Sequence, residues 1–208
     1  MNNIDEFYEY SKNLNINEIG GWSPYYYGVY SHIIKEYNYK NVSELGVGYG
    51  THARYVLLNN PEIESLTLID PMKEYENDAF ADDIKRQNSV LNINNFDRMF
   101  QLINNDLSKI SNKYKWIRKE SKLITDEDLP NNSLDCIFID GDHSYNAVIN
   151  DLELYWKKIR IGGQILGDDY NMLDVSNAVN DFSNKYNLKY DLLFKKNSNH
   201  PIYRFFKI

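Results

Sequence analysis

Several features are scarce or missing in this chain of 208 residues, and each absence narrows the classes of protein to which it can belong. It has one cysteine, Cys136, which excludes a disulfide framework and suits a reducing compartment. No apolar run approaches the ~20 residues that span a bilayer, and no charged, apolar and small-residue leader opens the sequence. We therefore expect a soluble, cytoplasmic protein with no membrane partner.

Basic residues are also in the minority, since 23 Lys and Arg face 30 Asp and Glu for a net charge of -7. Binding to phosphate backbones depends on clustered Lys and Arg, so a nucleic acid partner is disfavoured. The length suits one well-buried α/β domain rather than two. We predict a single domain over residues 1–208, with residues 1–40 as an N-terminal helical cap and residues 41–208 as the core. The sequence leaves the oligomeric state open, a homo-oligomer included.

The most informative stretch runs from Leu134 to Tyr170 and has the pattern of a strand, a helix and a second strand. Its first part, Leu134 to Ile139, is an apolar run typical of a buried parallel strand. Apolar residues then recur at helical spacing from Tyr145 to Ile159, and we expect Gly162-Gly163 to end that helix before a strand at Gln164 to Gly167. A right-handed crossover makes the two strands parallel, so their carboxyl ends meet at one edge of the sheet.

Acidic residues follow both strands of this unit. Asp140 comes after the first strand, and Asp168 and Asp169 come after the second. Open α/β sheets bind ligands outside the carboxyl ends of their strands. Three acids gathered there would repel one another without a cation, so we predict that these three residues hold a hard divalent metal ion.

His143 lies three residues after Asp140 and admits two roles. A pKa near ~6.5 makes histidine a natural general base at neutral pH, so His143 is a candidate catalytic residue together with Asp140. Alternatively, it only orients a carboxylate. For Asp142, with Ser144, we expect no more than a cap on the following helix.

A glycine-rich turn follows an earlier predicted strand. The chain reads Glu44-Leu45-Gly46-Val47-Gly48-Tyr49-Gly50, and a helical pattern follows from Thr51 to Leu58. Such glycines let the backbone approach a ligand beside a helix N-terminus, but they also serve a simple tight turn. Asp70 ends the next predicted strand, 20 residues beyond Gly50, where an acid suits the ribose hydroxyls of a nucleoside cofactor.

The remaining segments surround these motifs. Trp22 and Tyr25-Tyr26-Tyr27 either cover the sheet or roof a substrate pocket, and Asp126-Glu127-Asp128 is predicted to be a solvated turn. Further helices are expected within residues 4–14, 25–37, 74–112 (two helices) and 175–186, a strand within 114–119, and a hairpin from strands 190–194 and 202–207. The hairpin implies one antiparallel strand at the end of the sheet.

In this order and spacing the motifs resemble the class I S-adenosylmethionine-dependent methyltransferases. More narrowly, the chain looks like the O-methyltransferases with a metal site of the catechol or macrolide-sugar type. The resemblance covers roughly Tyr30 to the C-terminus and rests on Glu44 to Gly50, Ile69-Asp70, Ile117 to Ser121, Phe138 to Tyr145 and Gly162 to Tyr170. It implies an α/β, Rossmann-like fold with a mostly parallel seven-stranded sheet, an antiparallel last strand and helices on both faces.

The resemblance also implies roles for individual residues. Glu44 and the backbone at Gly46 and Gly48 would hold the methionine part of the cofactor, Asp70 would take the ribose hydroxyls, and Glu120 and Ser121 would lie beside the adenine. Gly50 and Asp140 complete the cofactor-binding set. The metal, usually Mg²⁺ in such enzymes, would lie at Asp140, Asp168 and Asp169. His143 stands where catechol enzymes carry a lysine, which disfavours a catechol and favours a sugar or glycosylated metabolite. His52 would lie near the carboxylate of the cofactor.

Two other functions compete with a metal-dependent O-methyltransferase that acts on a small hydroxylated molecule. An NAD-dependent oxidoreductase is disfavoured because the turn is Gly-x-Gly-x-Gly rather than Gly-x-Gly-x-x-Gly, and because a terminal hairpin is unusual in that class. A non-catalytic nucleotide-binding module is disfavoured because acids remain at Asp140, Asp168 and Asp169.

Overall fold

A seven-stranded sheet organises the part of the chain that the computed structural model describes, which is residues 28–73, 96–193 and 201–208. The strands are β1 (Asn41–Leu45), β2 (Ser65–Ile69), β3 (Tyr114–Ile117), β4 (Leu134–Ile139), β5 (Ile159–Gly167), β6 (Tyr190–Leu193) and β7 (Ile202–Phe206). The helices are α1 (Gly28–Glu36), α2 (Thr51–Asn59), α3 (Phe96–Ile110), α4 (Tyr145–Lys158) and α5 (Leu173–Tyr186), with a 3₁₀ turn at Ser121–Leu123. The predictions for residues 4–14, Trp22, Tyr25 to Tyr27 and 74–95 lie outside the described residues.

The strand order is β3-β2-β1-β4-β5-β7-β6. Strands β1 to β5 pair in parallel, while β7 runs antiparallel to both β5 and β6. The predicted hairpin therefore does supply the antiparallel strand. Since the chain reverses direction in sheet order between β1 and β4, the ends of these two strands form the crevice where open sheets bind ligands.

Apolar side chains cover both faces of the sheet. In β4, Cys136 and Phe138 pack with α1, α2 and α3, whereas Ile137 and Ile139 pack with α4 and α5. This alternation follows from the two-residue period of a strand. All six residues of β4 are buried, as expected for a parallel strand with a helical layer on each side. In the described part of the chain, no helix combines the length and apolar character needed to cross a membrane.

The predicted role of Gly162-Gly163 is wrong. Helix α4 ends at Lys158, and β5 begins at once with Ile159, so Gly162 and Gly163 lie inside a strand and do not end a helix. Gly162 has φ +81°, and a Cβ on Gly163 would lie 2.5 Å from the Asp135 carbonyl oxygen. The register of β4 against β5 also shifts here. The two glycines therefore form an irregularity within the strand. Glycine is common both in such irregularities and at the ends of helices, so the residue type alone does not distinguish the two roles.

Candidate active site

The glycine turn connects β1 to α2 at the carboxyl edge of the sheet. Gly46, Gly48 and Gly50 all have positive φ, at 83°, 50° and 71°. A Cβ on Gly46 would lie 1.8 Å from the backbone oxygen of Asp140, so only glycine fits between β1 and the end of β4. At Gly48 the same atom would meet no atom of the described residues within 4 Å. The turn is thus closely packed at Gly46 and open at Gly48, which leaves room for a ligand against its backbone.

Asp70 follows β2 and braces this turn. Its carboxylate accepts hydrogen bonds from the backbone N–H groups of Val47 at 2.8 Å, Gly48 at 3.3 Å and Met72 at 2.7 Å. Burial raises the pKa of Asp70, and the three backbone donors oppose that rise. The predicted ribose ligand therefore also holds the glycine turn in shape.

Glu44 is buried at the end of β1, directly before the turn. Its Oε1 lies 3.6 Å from Nδ1 of His52 in the first turn of α2, and its Oε2 has no hydrogen-bond partner among the described residues. Burial raises the pKa of Glu44, and the attraction of His52 opposes the rise. The expectation that His52 faces a cofactor carboxylate did not anticipate this pairing. The strand-turn-helix pattern brings the start of α2 near the end of β1, but the pairing itself depends on how α2 packs against the sheet.

Glu120 and Ser121 follow β3, which ends at Ile117 and is shorter than predicted. The Glu120 carboxylate pairs with Lys73 and Lys122, and hydrogen bonds from these two lysines lower its pKa to about 2. Ser121 begins the 3₁₀ turn, and its carbonyl accepts a bond from the Tyr155 hydroxyl at 3.5 Å. Both residues lie at the carboxyl edge of the sheet, where the adenine contact was predicted.

A second cluster lies at the ends of β4 and β5. Nε2 of His143 is 3.5 Å from Oδ1 of Asp140 and 3.1 Å from Oδ2 of Asp169. One ligand atom from each of the three residues lies within 4.8 Å of the others. Two carboxylates and an imidazole in this arrangement are a donor set that suits a divalent cation.

His143 supplies the positive charge that lies between the two carboxylates. Burial lowers the pKa of His143, but Asp140 and Asp169 raise it by more, to about 10. The imidazole is therefore protonated at neutral pH when no cation is present. A cation and this proton are alternative ways to neutralise the same pair of acids.

Asp168 belongs to the sheet edge but not to this cluster. Its side chain is buried, and its Oδ1 accepts a hydrogen bond from the backbone N–H of Asp169 at 2.8 Å. Asp169 has φ +53°, a left-handed conformation that breaks the course of β5. The structure thus brings together two of the three predicted metal ligands, Asp140 and Asp169, and adds His143.

Two further predictions concern acids near the site. Asp142 accepts a hydrogen bond from the backbone N–H of Ser144 at 2.8 Å, which closes the turn before α4, but the N-cap is Ser144 and it makes no side-chain capping bond, so the expected capping role is not seen. Asp128 bonds to Lys119 and Thr125 in an exposed turn, as predicted for this acidic segment. Neither acid belongs to the cluster of ligand atoms described above.

Sequence reasoning also missed Tyr203, which lies beside the second cluster. Tyr203 in β7 pairs with Gly167, the last residue of β5, and a Cβ on that glycine would lie 2.1 Å from the tyrosine hydroxyl oxygen. The ring therefore covers the strand end immediately before Asp168. The antiparallel register that places it there cannot be read from β7 alone.

A sequence profile of the family described as "Methyltransferase domain" matches residues 43–170, which is more than half of the chain. This span begins in β1 and ends just after Asp168 and Asp169, so it contains both halves of the site. The chain belongs to this methyltransferase family. Its resemblance to the S-adenosylmethionine-dependent methyltransferases is thereby confirmed.

Solved methyltransferases share the fold at low sequence identity. A candidate caffeoyl-CoA O-methyltransferase from Staphylococcus aureus has a TM-score of 0.62 at 17% identity, covering 97% of this chain and 91% of its own. The O-methyltransferase NovP has a TM-score of 0.60 at 18% identity, covering 85% and 76%. The N-methyltransferase NodS from Bradyrhizobium japonicum has a TM-score of 0.56 at 12% identity, covering 88% and 97%. The shared fold therefore does not select the atom that is methylated.

Among curated proteins, an uncharacterized protein of Acanthamoeba polyphaga mimivirus is 56% identical over 39 residues. The match covers 19% of this chain and 18% of the viral protein, so this chain spans less than a fifth of that relative. The substrate of the methyltransferase must be argued from its site.

Proposed function

We propose that this methyltransferase transfers a methyl group from S-adenosylmethionine to a hydroxyl of a small molecule, with the help of a divalent cation. The observation that carries the proposal is the contact between the two halves of the site. The backbone N–H of Asp140 donates to the Leu45 carbonyl at 2.8 Å, and Gly46 touches the Asp140 carbonyl. A methyl donor at the glycine turn and an acceptor at the Asp140 cluster would therefore be neighbours.

The glycine turn fits the cofactor. Among the described residues, it offers open space at Gly48 and a buried Oε2 of Glu44 without a hydrogen-bond partner, and Asp70 fixes the backbone of the turn. When bound, S-adenosylmethionine supplies a methyl group on a positively charged sulfur. The protein then contributes chiefly by holding the acceptor oxygen in line with that methyl group, because correct positioning accounts for much of the rate of such reactions.

The second cluster fits a divalent cation. Asp140 and Asp169 would hold it, since their carboxylates already face one another across His143. When bound, such a cation can hold two neighbouring substrate oxygens and lower the pKa of the attacking hydroxyl. With the cation in place of the proton, His143 would accept the hydroxyl proton as the oxygen takes the methyl carbon from the sulfur and S-adenosylhomocysteine leaves.

The acceptor class we propose is a sugar or a glycosylated metabolite. A cation that holds two neighbouring oxygens suits the adjacent hydroxyl groups of a sugar ring. His143 instead of a lysine also departs from the catechol pattern. The O-methyltransferase NovP, one of the similar structures, supports oxygen as the acceptor atom, although the structure of NodS shows that the fold also serves nitrogen.

Calorimetric titration of the purified protein tests the cofactor first. S-adenosylhomocysteine and NAD⁺ would each be titrated with and without Mg²⁺. We expect micromolar binding of S-adenosylhomocysteine and no response to NAD⁺. Sugar acceptors would then be screened with S-adenosylmethionine, with Mg²⁺ or with a chelator, and turnover should require the metal. Binding of NAD⁺ without S-adenosylhomocysteine would overturn the proposal in favour of an oxidoreductase.

A further inference from the structure

We propose that His52 is a positioning residue that holds the Glu44 carboxylate ready for the ammonium group of the bound cofactor. The inference rests on the proposed function, because it assigns a task within the same cofactor site. It changes the expected role of His52, which becomes a support for an acid rather than a direct contact to the cofactor's carboxylate.

The first step is the state of the Glu44 carboxylate. Glu44 is only 1% exposed, and its two oxygens differ in their surroundings. Oε1 lies 3.6 Å from Nδ1 of His52, whereas Oε2 is buried without a hydrogen-bond partner in the described ranges. A buried carboxylate oxygen without a donor is unfavourable. A ligand that donates a hydrogen bond to Oε2 would give the Glu44 carboxylate a second partner beside His52.

The second step is that the His52 ring is fixed in place. Its centroid lies 4.5 Å from that of Phe138, edge to face, and 5.4 Å from that of Tyr30. Tyr30 is itself anchored, because its hydroxyl donates to the Ser43 carbonyl at 2.6 Å. Aromatic contacts of this kind restrict rotation of the imidazole. His52 therefore presents Nδ1 to Glu44 before any ligand arrives.

The third step is the charge of the missing donor. Asp70 and Asp140 both act on Glu44 as neighbouring negative charges, and His52 alone among the strongest influences on Glu44 favours its ionised form. A site surrounded by three acids favours a cationic donor over a neutral hydroxyl. An ammonium group meets this requirement.

The fourth step concerns the anion that accompanies an ammonium group in an amino acid. Oγ1 of Thr51, the first residue of α2, is also buried and has no hydrogen-bond partner within the part of the chain that the structure describes. A helix N-terminus favours a carboxylate. Beside the glycine turn, Glu44 thus favours a positive group and the helix N-terminus at Thr51 favours a negative one. The amino acid end of the cofactor carries both charges.

The test compares two ligands that differ in this end. S-adenosylhomocysteine carries the amino acid group, whereas 5′-methylthioadenosine keeps the nucleoside and sulfur and lacks it. His52→Ala should weaken binding of S-adenosylhomocysteine about tenfold, the scale of a charged hydrogen bond, and leave 5′-methylthioadenosine within about twofold. His32→Ala is the matched control, because His32 is an exposed histidine on α1.

A double-mutant cycle sharpens the assignment. Glu44→Gln alone should lower affinity for S-adenosylhomocysteine, and adding His52→Ala should cause little further loss, because the histidine acts through the acid. His52→Gln keeps a polar side chain of similar length and decides the question if His52→Ala does not fold. It should show a smaller loss with the same selectivity for S-adenosylhomocysteine.

Two outcomes would overturn the inference alone. Equal weakening of both ligands would reduce His52 to a structural residue, and unchanged affinity for S-adenosylhomocysteine would remove it from the site. If the unaltered protein bound neither ligand, the cofactor assignment itself would fail, and the inference with it. The unaltered protein therefore distinguishes the two kinds of failure.

Discussion

The two halves of the active site hold their acids in different ways. At the glycine turn, Asp70 is buried and accepts three backbone N–H groups, so the chain itself neutralises much of its charge. At the ends of β4 and β5, Asp140 and Asp169 are partly exposed and face one another across one histidine. The first half is organised by the fold, whereas the second depends on a proton or a cation.

This difference predicts how each half should fail. Removing an acid from the glycine turn leaves backbone donors unpaired, so it should disturb both local structure and cofactor binding. Removing one acid from the second cluster leaves the other acid to pair with His143, so the fold should persist while catalysis is lost. Variants on the two sides should therefore separate affinity for the cofactor from turnover.

The largest effect is expected from Asp169→Ala. Loss of a cation ligand should lower metal-stimulated turnover by roughly 100-fold or more, because a catalytic cation contributes several kcal/mol to transition-state stabilisation. Binding of S-adenosylhomocysteine should be unchanged. Turnover with Mg²⁺ and with a chelator, together with calorimetry, would measure both.

Asp168→Ala is the natural companion to that variant. The sequence predicts Asp168 as a third metal ligand, so its loss should also abolish metal-stimulated turnover while the cofactor still binds. In the structure its carboxylate instead accepts the Asp169 N–H. Equal losses in the two variants would show that the cation site needs Asp168, as a ligand or through its bond to Asp169, while unchanged turnover in Asp168→Ala would exclude both roles.

The next largest effect is expected from Gly46→Ala, which tests the contact between the two halves. A Cβ there would lie 1.8 Å from a backbone oxygen of Asp140, so the strand ends must separate. We expect a loss of about 3 kcal/mol or more in the free energy of unfolding, together with weaker cofactor binding. Gly48→Ala is the control, since its φ is also positive but its Cβ position is open, and it should cost only about 1–2 kcal/mol. Similar unfolding curves for the two variants would contradict the close contact.

Periodicity and strand-end rules predicted most of the fold and the sheet edge at which Asp140 and Asp169 meet. Buried runs such as Leu134–Ile139 and the helix from Tyr145 have strong patterns, and parallel strands bring Asp140 and Asp169 to one edge whatever the details. Gly162-Gly163 was misread because glycine both ends helices and permits irregular strands. Glycines as signals for the end of a helix were therefore less reliable than the periodic pattern of apolar residues.

The composition of the second cluster could not be predicted from strand ends alone. Asp168 and Asp169 are adjacent in sequence, and the left-handed φ of Asp169 decides which carboxylate approaches His143. That conformation is uncommon for a residue other than glycine and leaves no mark in the sequence pattern. The pairing of Glu44 with His52 likewise depends on how α2 packs against the sheet.

A smaller effect is expected from Asp70→Asn. The amide keeps one acceptor oxygen, so part of the three-donor network at Val47, Gly48 and Met72 must be left unpaired. Affinity for S-adenosylhomocysteine should fall about tenfold. Turnover at saturating cofactor and metal should change little, because Asp140 and Asp169 are untouched. An equal fall in kcat would show that the two halves do not act separately.

The smallest effect on function is expected from Asp151→Asn. This variant tests which hydrogen-bond donors are needed to keep a buried carboxylate ionised. Asp151 on α4 is 2% exposed and, unlike Asp70, is supported by a hydrogen bond from the Ser121 side chain rather than by three backbone donors. Burial raises the pKa of Asp151 to about 7, and the negative charge of Asp142 adds to the rise. Turnover and cofactor affinity should stay within about twofold, the scale of substitutions that touch neither ligand.

The consequence of that raised pKa lies in stability against pH. The folded protein binds the proton more tightly than the unfolded chain, whose aspartates titrate near ~4, so the contribution of Asp151 is fully present below that pH and is lost as the pH rises through about 7. Urea denaturation between pH 4 and 8 should show this decline in the unaltered protein and a flatter profile in Asp151→Asn. Glu62→Gln, at an exposed acid, should keep the decline. If the profile of Asp151→Asn matched that of Glu62→Gln, the Ser121 contact would be enough to hold a buried carboxylate, and the three backbone donors at Asp70 would not be what separates the two acids.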